Sequence, residues 1–398
     1  MKVKSRALWL GVALVMAAGG ARAADNDNSV LPAEPLDWMI DDIDLTLGGS
    51  AGGAVGYSWQ SGGPADPTGY DHSVASGELR PWLRAQRIFD NGIIFGLRTD
   101  LLLLHDHLSG DIYGNNTLER LFGFVETGFG RFEIGAVDGA AYSLALTGPE
   151  IDPQVSLEQR VISLFRDPDT GRDFGRFFKQ VTAVQSSSNY AKINFLSPRL
   201  VGLQLGASFT PETVRTPLPW TGNPQTNAPH DIWEVGANYT DYISSVAVGL
   251  SAGYAQGSQR QPTAAGQNLY DWSVGAEFAY SVDDTKLTAG GAWRGTNAWL
   301  LNVYDVLQGA ATEGDHLSAT VERGRWRLGA ETSNAHAAGP VDYDITGYQV
   351  SGGYLFTPAI ELTGGWQWYH YARNNGAFYN GLPNIRMDAV YLGLSYRL

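Results

Sequence analysis

Three stretches of this 398-residue chain contain side chains of the types that bind metals or catalyse reactions. The first, SLFRDPDTGRDFGRFFKQ (residues 163–180), places Asp167, Asp169 and Asp173 around a glycine, and calcium prefers oxygen ligands of this kind. An EF-hand loop needs that glycine at position six and a bidentate Glu at position twelve. Here the glycine is at position five and position twelve is Phe178. The spacing therefore excludes an EF-hand and leaves a looser calcium site as an alternative.

The other two stretches carry weaker signals. Residues 249–253 read G-x-S-x-G, but a nucleophile elbow requires a strand, a sharp turn and a helix, whereas Ser251 lies within one alternating strand. His105 and His107 share a strand face and could bind a metal, but no third ligand follows at a suitable spacing. The sequence thus predicts no catalytic residue, no resident metal and no cofactor.

The elements that must position these residues are short alternating strands. In YDWSVGAEFAYS (residues 270–281) the even positions are apolar or aromatic, and most odd positions are Asp, Ser, Gly or Glu. About sixteen such runs follow one another from residue 43 to the end of the chain, and tight turns alternate with long connections. This pattern predicts antiparallel strands with one apolar and one polar face.

Composition and charge indicate where the strands are placed. Residues 1–23 combine Lys2, Lys4 and Arg6 with an apolar run and the site Ala21-Arg22-Ala23, which predicts a cleaved secretory signal; a retained anchor helix is the alternative. Removing the four basic residues of that segment takes the formal net charge from −14 to −18, so we expect no binding to nucleic acid. The chain has no cysteine, and after the signal no apolar run is long enough for a membrane helix.

Aromatic residues distinguish a membrane barrel from a soluble β-sandwich or β-helix. Many tyrosines and tryptophans fall at predicted strand ends, where the aromatic girdles of outer-membrane barrels lie: Trp59, Trp233, Tyr239, Tyr254, Tyr270, Tyr280 and Tyr354. A sheet of so many strands must also close, since lipid offers no partner to an open edge. The sequence therefore predicts an all-β transmembrane antiparallel barrel at residues 43–398, preceded by a lead-in at residues 24–42.

Two stretches resemble a known family. SSNYAKINFLSPRLVGLQLGASFTPE (residues 187–212) resembles the hairpin of the sixth and seventh strands of Gram-negative general porins, especially alphaproteobacterial ones, and GFGRFEIGAVDGAAYSLAL (residues 128–146) resembles their fifth strand and the start of their third loop. The resemblance implies a homotrimer of sixteen-stranded barrels in the outer membrane, among lipids and lipopolysaccharide, with a third loop folded into the lumen. It also implies passive diffusion of small hydrophilic solutes and insertion by the barrel-assembly machinery.

The chain terminus resembles the assembly signal of outer-membrane proteins. In AVYLGLSYRL the residues that carry this resemblance are Tyr391, Gly393, Tyr396 and Leu398. The family signal usually ends in Phe, and this chain departs from it by ending in Leu398.

The longest interruption of the strand pattern, at about residues 138–186, predicts the pore constriction. Its phenylalanines favour folding back against the barrel wall, because exposing them to water is unfavourable. Arginines on the early strands would then face acids on this segment, and charged rings of this kind set pore selectivity. The predicted constriction residues are Arg80, Arg84, Arg98, Glu150, Asp152, Glu158, Asp167, Asp169 and Asp173. Alternatively, the arginines pair with neighbouring acids and only brace the segment.

These observations predict a non-catalytic channel for small solutes and ions. The net acidity suggests a weak cation preference at its mouth. Two other functions stay open at this point: a solute-specific channel for sugars or oligosaccharides, and an outer-membrane enzyme.

Overall fold

A computed structural model describes eleven parts of the chain: residues 35–60, 73–105, 118–152, 155–158, 165, 181–213, 229–259, 268–297, 311–338, 342–374 and 384–397. Nearly all of these residues lie in antiparallel strands, with one short helix, α1 (Ala140–Ser143). No helix among the described residues is long and apolar enough to cross a membrane.

The strands follow one another along the chain and are numbered in that order. Their bounds are β1 Leu36–Ile40, β2 Ile43–Gln60, β3 Ser73–Ile88, β4 Ile94–Leu101, β5 Leu104–His105, β6 Leu118–Thr127, β7 Gly130–Ala136, β8 Ala191–Leu196, β9 Leu203–Glu212, β10 Pro229–Ile243, β11 Val246–Gln259, β12 Leu269–Val282, β13 Thr285–Thr296, β14 Ala311–Arg323, β15 Trp326–Ala338, β16 Tyr343–Thr357, β17 Ile360–Arg373 and β18 Asn384–Arg397. Every strand that the alternation predicted is present, with ends within a few residues of the prediction.

The sheet closes into a barrel of sixteen wall positions. Each strand from β6 onward pairs with its neighbour in sequence, and the last strand, β18, pairs with β2 from Met387 opposite Gln60 to Arg397 opposite Ser50. β4 and β5 lie end to end along β3 and together occupy one wall position. Closure leaves the wall without an open edge, as a lipid environment requires.

The additional strand, β1, lies within the predicted lead-in at residues 24–42. It pairs with residues 43–47 of β2, beyond the point where β18 ends. The first strand of the wall is longer than the last, and β1 covers the part of the β2 edge that β18 does not reach. The lead-in is therefore partly a strand, which the sequence did not predict.

Alternation along the strands separates an inner from an outer face. In β18, Ile385 and Met387 are fully buried, whereas Leu392 and Leu394 are 52% and 53% exposed. Outer-face aromatic residues lie near both ends of the strands, as in the ring contacts of Tyr354 with Trp326 and Phe356 (4.7 and 5.1 Å) and of Tyr57 with Trp59 (6.2 Å). An apolar outer face with aromatic residues at its ends suits a lipid-facing wall.

Tight turns form one rim of the barrel. The turns at residues 244–245, 283–284 and 324–325 have two residues each and begin with a positive φ, at Ser244 (59°), Asp283 (52°) and Gly324 (57°). A positive φ in a two-residue hairpin gives a turn whose twist matches that of the strands it joins.

Candidate functional site

The chain between β7 and β8, residues 137–190 and hereafter the long segment, contacts the inner face of the wall at every described stretch. At its start, the Ala140 amide donates to Ser208 Oγ on β9 (3.2 Å). Asn238 Nδ2 on β10 then donates to the Leu144 carbonyl (3.1 Å). These wall residues alternate with the exposed apolar ones, so the segment lies on the side opposite the outer face.

The segment next passes from β11 to β17. The Leu146 amide donates to Ser251 Oγ on β11 (2.9 Å), so the serine of the G-x-S-x-G pattern serves as a wall contact. His316 Nδ1 on β14 lies 2.7 Å from the Thr147 carbonyl oxygen, and Arg327 Nη2 on β15 donates to the Glu150 carbonyl (3.1 Å). On β17, Gln367 donates to the carbonyl of Val155.

The described residues of the return path run back toward β12. The Leu157 amide donates to Glu331 Oε2 on β15 (3.0 Å), and Arg294 on β13 donates to the Val181 carbonyl (3.0 Å). The amides of Gln185 and Ser186 both donate to Asp271 Oδ2 on β12 (3.2 Å each). We call the inner face of β9–β17 the covered wall, since it supplies the partners of the long segment.

Apolar packing adds to these hydrogen bonds. Val155, Leu157 and Phe165 of the segment are buried in one cluster with wall residues such as Tyr369, and the Phe165 and Tyr369 rings meet edge to face at 5.5 Å. Burying apolar side chains of this size stabilises the contact by about 1.5–3 kcal/mol each. The packing of phenylalanine against the wall agrees with the reason given for the segment to fold back.

Two of the acids predicted at the constriction are buried against the wall. Asp152 and Glu158 are only 4% and 8% exposed. Asp152 accepts a hydrogen bond from Thr363 on β17, and a Glu158 carboxylate oxygen lies 4.0 Å from His316 Nδ1 on β14. Glu158 also accepts from the amide and hydroxyl of Thr182 within the segment (2.6 and 2.9 Å). Asp152 and Glu158 therefore differ from the prediction that these acids project into the lumen, whereas Glu150 is only half-buried.

Burial also changes the protonation of two of these acids. It raises the pKa of Glu158 from 4.5 to about 7, although His316 and the hydrogen bonds from Thr182 oppose the change. Burial, with the nearby Glu331 and Glu158 carboxylates, likewise raises the pKa of Glu150. The three remaining predicted acids, Asp167, Asp169 and Asp173, lie outside the described residues.

The predicted arginines lie on the inner face of β3 and β4, apart from the covered wall. Arg80 bonds to Glu78 and to Glu119 (2.6 Å). Arg84 donates to Thr46 Oγ1 (3.3 Å).

Arg98 donates to Asp100 (2.9 Å), and its guanidinium carbon lies 4.8 Å from the centroid of the Trp82 ring. The three arginines are partly exposed, and each has an acidic or polar partner on its own strand or on another strand of this face. We call the inner face of β2–β6 the basic wall.

Sequence reasoning missed a fourth arginine of the basic wall. Arg120 on β6 donates to Asp100 (2.9 Å) and pairs with Asp138 at the start of the long segment (2.6 Å). Its strand has Phe122 and Phe124 buried on the same inner face, so alternation alone did not mark that face as polar. The contact with Asp138 gives Arg120 a direct role in placing the segment.

The residues of the predicted assembly signal divide between the two faces. Tyr391 and Gly393 are on the inner face, where Tyr391 accepts a hydrogen bond from Gln349 (3.1 Å), whereas Tyr396 is on the outer face. Leu398 lies outside the described residues.

The candidate metal ligands bring no site together in the described structure. His107 lies outside the described residues, as do the aspartates of the first acidic stretch. Within the described ranges, no group of three His, Cys, Asp or Glu residues is placed to hold a metal ion.

Comparisons with known proteins agree with this geometry. The family model of the Gram-negative porins matches residues 11–398. A porin mutant of Rh. blastica aligns at 16% identity and a TM-score of 0.51, covering 89% of this chain and 100% of its own.

OmpT, an outer membrane protein of Vibrio cholerae, aligns at 10% identity and a TM-score of 0.55, covering 91% of this chain and 100% of its own. Its in-vitro folded trimer form aligns at 10% identity and a TM-score of 0.54, covering 90% of this chain and 100% of its own. A search of curated proteins gave no match.

Proposed function

Because this chain belongs to the family of Gram-negative porins, we propose that its channel is narrowest between the long segment and the basic wall. As a member of that family it lies in the outer membrane and forms a channel for passive diffusion of small hydrophilic solutes. The observation that carries the proposal is the long run of contacts between the segment and the inner face of β9–β17. Solutes would then pass on the other side of the segment, along Arg80, Arg84 and Arg98.

The partners of these arginines support a charged constriction. Arg80 is paired with Glu78 and Glu119, and Arg98 with Asp100, so each guanidinium is held in place while remaining partly exposed. Fixed charges of this kind act on passing ions over several ångströms. Bracing and selectivity are therefore compatible roles for the same residues. Asp167, Asp169 and Asp173 are proposed as the opposing acids.

Single-channel conductance of the purified, unheated oligomer in planar bilayers tests the constriction. Removing residues 150–175 should raise the conductance, because it takes the segment out of the lumen. A matched variant keeps the length of the segment but has Asp167, Asp169 and Asp173 all changed to Asn. It distinguishes the effect of the segment's volume on the channel from the effect of its charge. It should keep the conductance and shift the selectivity toward anions. Unchanged conductance after the deletion would show that the segment does not line the narrowest part.

We further propose a homotrimer that is inserted by the barrel-assembly machinery and surrounded by lipopolysaccharide. The trimer form of OmpT from Vibrio cholerae supports the first part of this proposal, since this chain shares its fold. Mass measurement of the oligomer in detergent should give three copies. A monomer that conducts at full single-channel level would contradict the trimer and leave the channel proposal intact.

We also propose that the protein has no catalytic activity. The strongest motif for catalysis, G-x-S-x-G, has its serine hydroxyl occupied by the Leu146 amide on the inner face of a strand. A phospholipid hydrolysis assay with the purified oligomer should therefore show no product above that of the heat-denatured protein. Hydrolysis that is lost in Ser251→Ala would overturn this part of the proposal.

A further inference from the structure

The basic wall holds an aromatic ring between two of its arginines. Trp82 is an inner-face residue of β3, with Arg80 and Arg84 as the next inner-face residues on either side. Its ring lies over Gly48 of the neighbouring strand, where an added Cβ would come within 2.3 Å of the indole. The absence of a side chain at Gly48 therefore lets the ring lie along the wall. Arg98, from the strand on the other side, places its guanidinium carbon 4.8 Å from the ring centroid.

Two of the arginines next to this ring lie on adjacent strands. Arg84 and Arg98 are directly opposite each other in the pairing of β3 with β4, and like charges at such positions repel. Asp100 accepts from Arg98 and also from Arg120, which has Asp138 as a second acidic partner. Arg80, by comparison, contacts the carboxylates of both Glu78 and Glu119. A carboxylate arriving between Arg84 and Arg98 would relieve their repulsion.

We propose that Trp82, Arg84 and Arg98 form a low-affinity subsite for small solutes that combine a carboxylate with an aromatic ring. The guanidinium groups bind the carboxylate through charge-assisted hydrogen bonds, for which Arg geometry is well suited. The solute ring packs against the exposed part of the indole. The inference rests on the proposed function, because solute must enter the lumen to meet these residues. It adds a preferred solute class to a channel that passes many solutes.

A second tryptophan–arginine contact provides a matched control. Trp368 on β17 has the Arg386 guanidinium carbon 5.7 Å from its ring centroid, but both residues lie on the outer face. A solute inside the lumen cannot reach this pair. Substituting Trp368 therefore changes the same kind of contact without changing the proposed subsite.

The wild-type channel is tested first, with probes that differ in one feature at a time. Benzoate, cyclohexanecarboxylate, acetate and benzyl alcohol are added at neutral pH to single channels in potassium chloride, and the reduction of current is measured. Benzoate should reduce the current at a concentration about three- to tenfold lower than acetate does, which corresponds to an aromatic contact of about 0.5–1.5 kcal/mol. Benzyl alcohol, which lacks the charge, should have no effect. Equal effects of benzoate and acetate would overturn the proposal.

The variants then locate the effect. Trp82→Leu should remove the advantage of benzoate over acetate, Arg84→Gln should weaken the effect of both, and Trp368→Leu should behave as wild type. A Trp82→Leu channel that keeps the full benzoate effect overturns the subsite, as does a Trp368→Leu channel that loses it. If a variant does not form channels, the probe series in the wild-type channel decides alone. A purified oligomer with no conductance at all would instead contradict the proposed function.

Discussion

Two parts of the barrel's inner face, the covered wall and the basic wall, carry the same kinds of charged side chain in different surroundings. On the covered wall, Arg294 pairs with Asp271 at 2.7 Å and Arg327 with Glu361 at 2.8 Å, and all four side chains are less than 10% exposed. On the basic wall, the side chains of Arg80 and Arg98 are 36% and 23% exposed. Buried guanidiniums on the first wall hold the main chain of the long segment. A charged inner-face residue therefore indicates a pore function only where solvent reaches it.

The largest effect should follow from breaking a buried pair on the covered wall. Arg327→Ala leaves Glu361, which is 1% exposed, without its guanidinium partner and removes the donor to the Glu150 carbonyl. Leaving a buried charge without its partner should lower the free energy of unfolding by about 3–5 kcal/mol. Urea titration of the folded oligomer measures this change.

The matched control for that change is an exposed pair on the short-turn rim. Arg323 and Asp284 are 71% and 62% exposed, so Arg323→Ala should cost at most about 1 kcal/mol. Similar losses for both variants would show that burial does not distinguish the two sites.

A smaller effect should follow from crowding the contact between the segment and β12. A Cβ at Gly275 would come within 1.9 Å of the Leu146 carbonyl oxygen, so Gly275→Ala must displace the segment or the strand. Overpacking of this kind costs about 1–3 kcal/mol, and we expect a matching rise in current fluctuations of single channels. Gly123→Ala on β6 is the control, since its Cβ would meet nothing closer than 3.7 Å. Equal fluctuations in both variants would contradict the placement of the segment at β12.

Period-two alternation was sufficient to predict the wall. For example, β12 spans Leu269–Val282, and its sequence had predicted residues 270–281. The five residues of β1 are too few to show a period, and their partner is the unpaired start of β2, which depends on where β18 ends. How far β18 pairs along β2 cannot be inferred from the sequence of either strand alone.

The sequence predicted where the long segment lies along the chain, but it did not predict which way the acidic side chains of the segment point. Asp152 is buried because Thr363, 211 positions later, supplies a donor from the wall. A segment without a repeating pattern has no period that assigns its side chains to the wall or to the lumen. Its contacts follow from barrel closure, which brings β9–β17 around it.

The attachment of the segment should depend on pH by about 3 kcal/mol. Burial raises the pKa of Glu158 from 4.5 to about 7, so the attached segment retains a proton that the detached segment has lost between these values. Attachment is therefore strongest below about pH 4.5 and weakens as the pH rises toward 7. Current fluctuations should increase over that range and should change little in Glu158→Gln, whose amide stays neutral.

The control for this titration is an exposed acid on β14. Glu313→Gln removes a carboxylate from the outer surface and should keep the pH dependence of the wild type. A dependence that survives in Glu158→Gln would assign the effect to another group of the segment, such as Glu150.

The smallest effect concerns ion selectivity at the basic wall. Arg84→Gln removes one positive charge from the inner face, so the reversal potential in a potassium chloride gradient should shift toward cation preference. A unit charge about 7 Å from an ion in water contributes about 0.6 kcal/mol, or roughly a threefold change in permeability ratio. Arg386→Gln removes the same charge from the outer face and should leave the potential unchanged, because lipid and the wall separate it from the lumen. Equal shifts would mean that the potential reports the overall charge of the protein, and the distinction between the inner and outer arginines would fail.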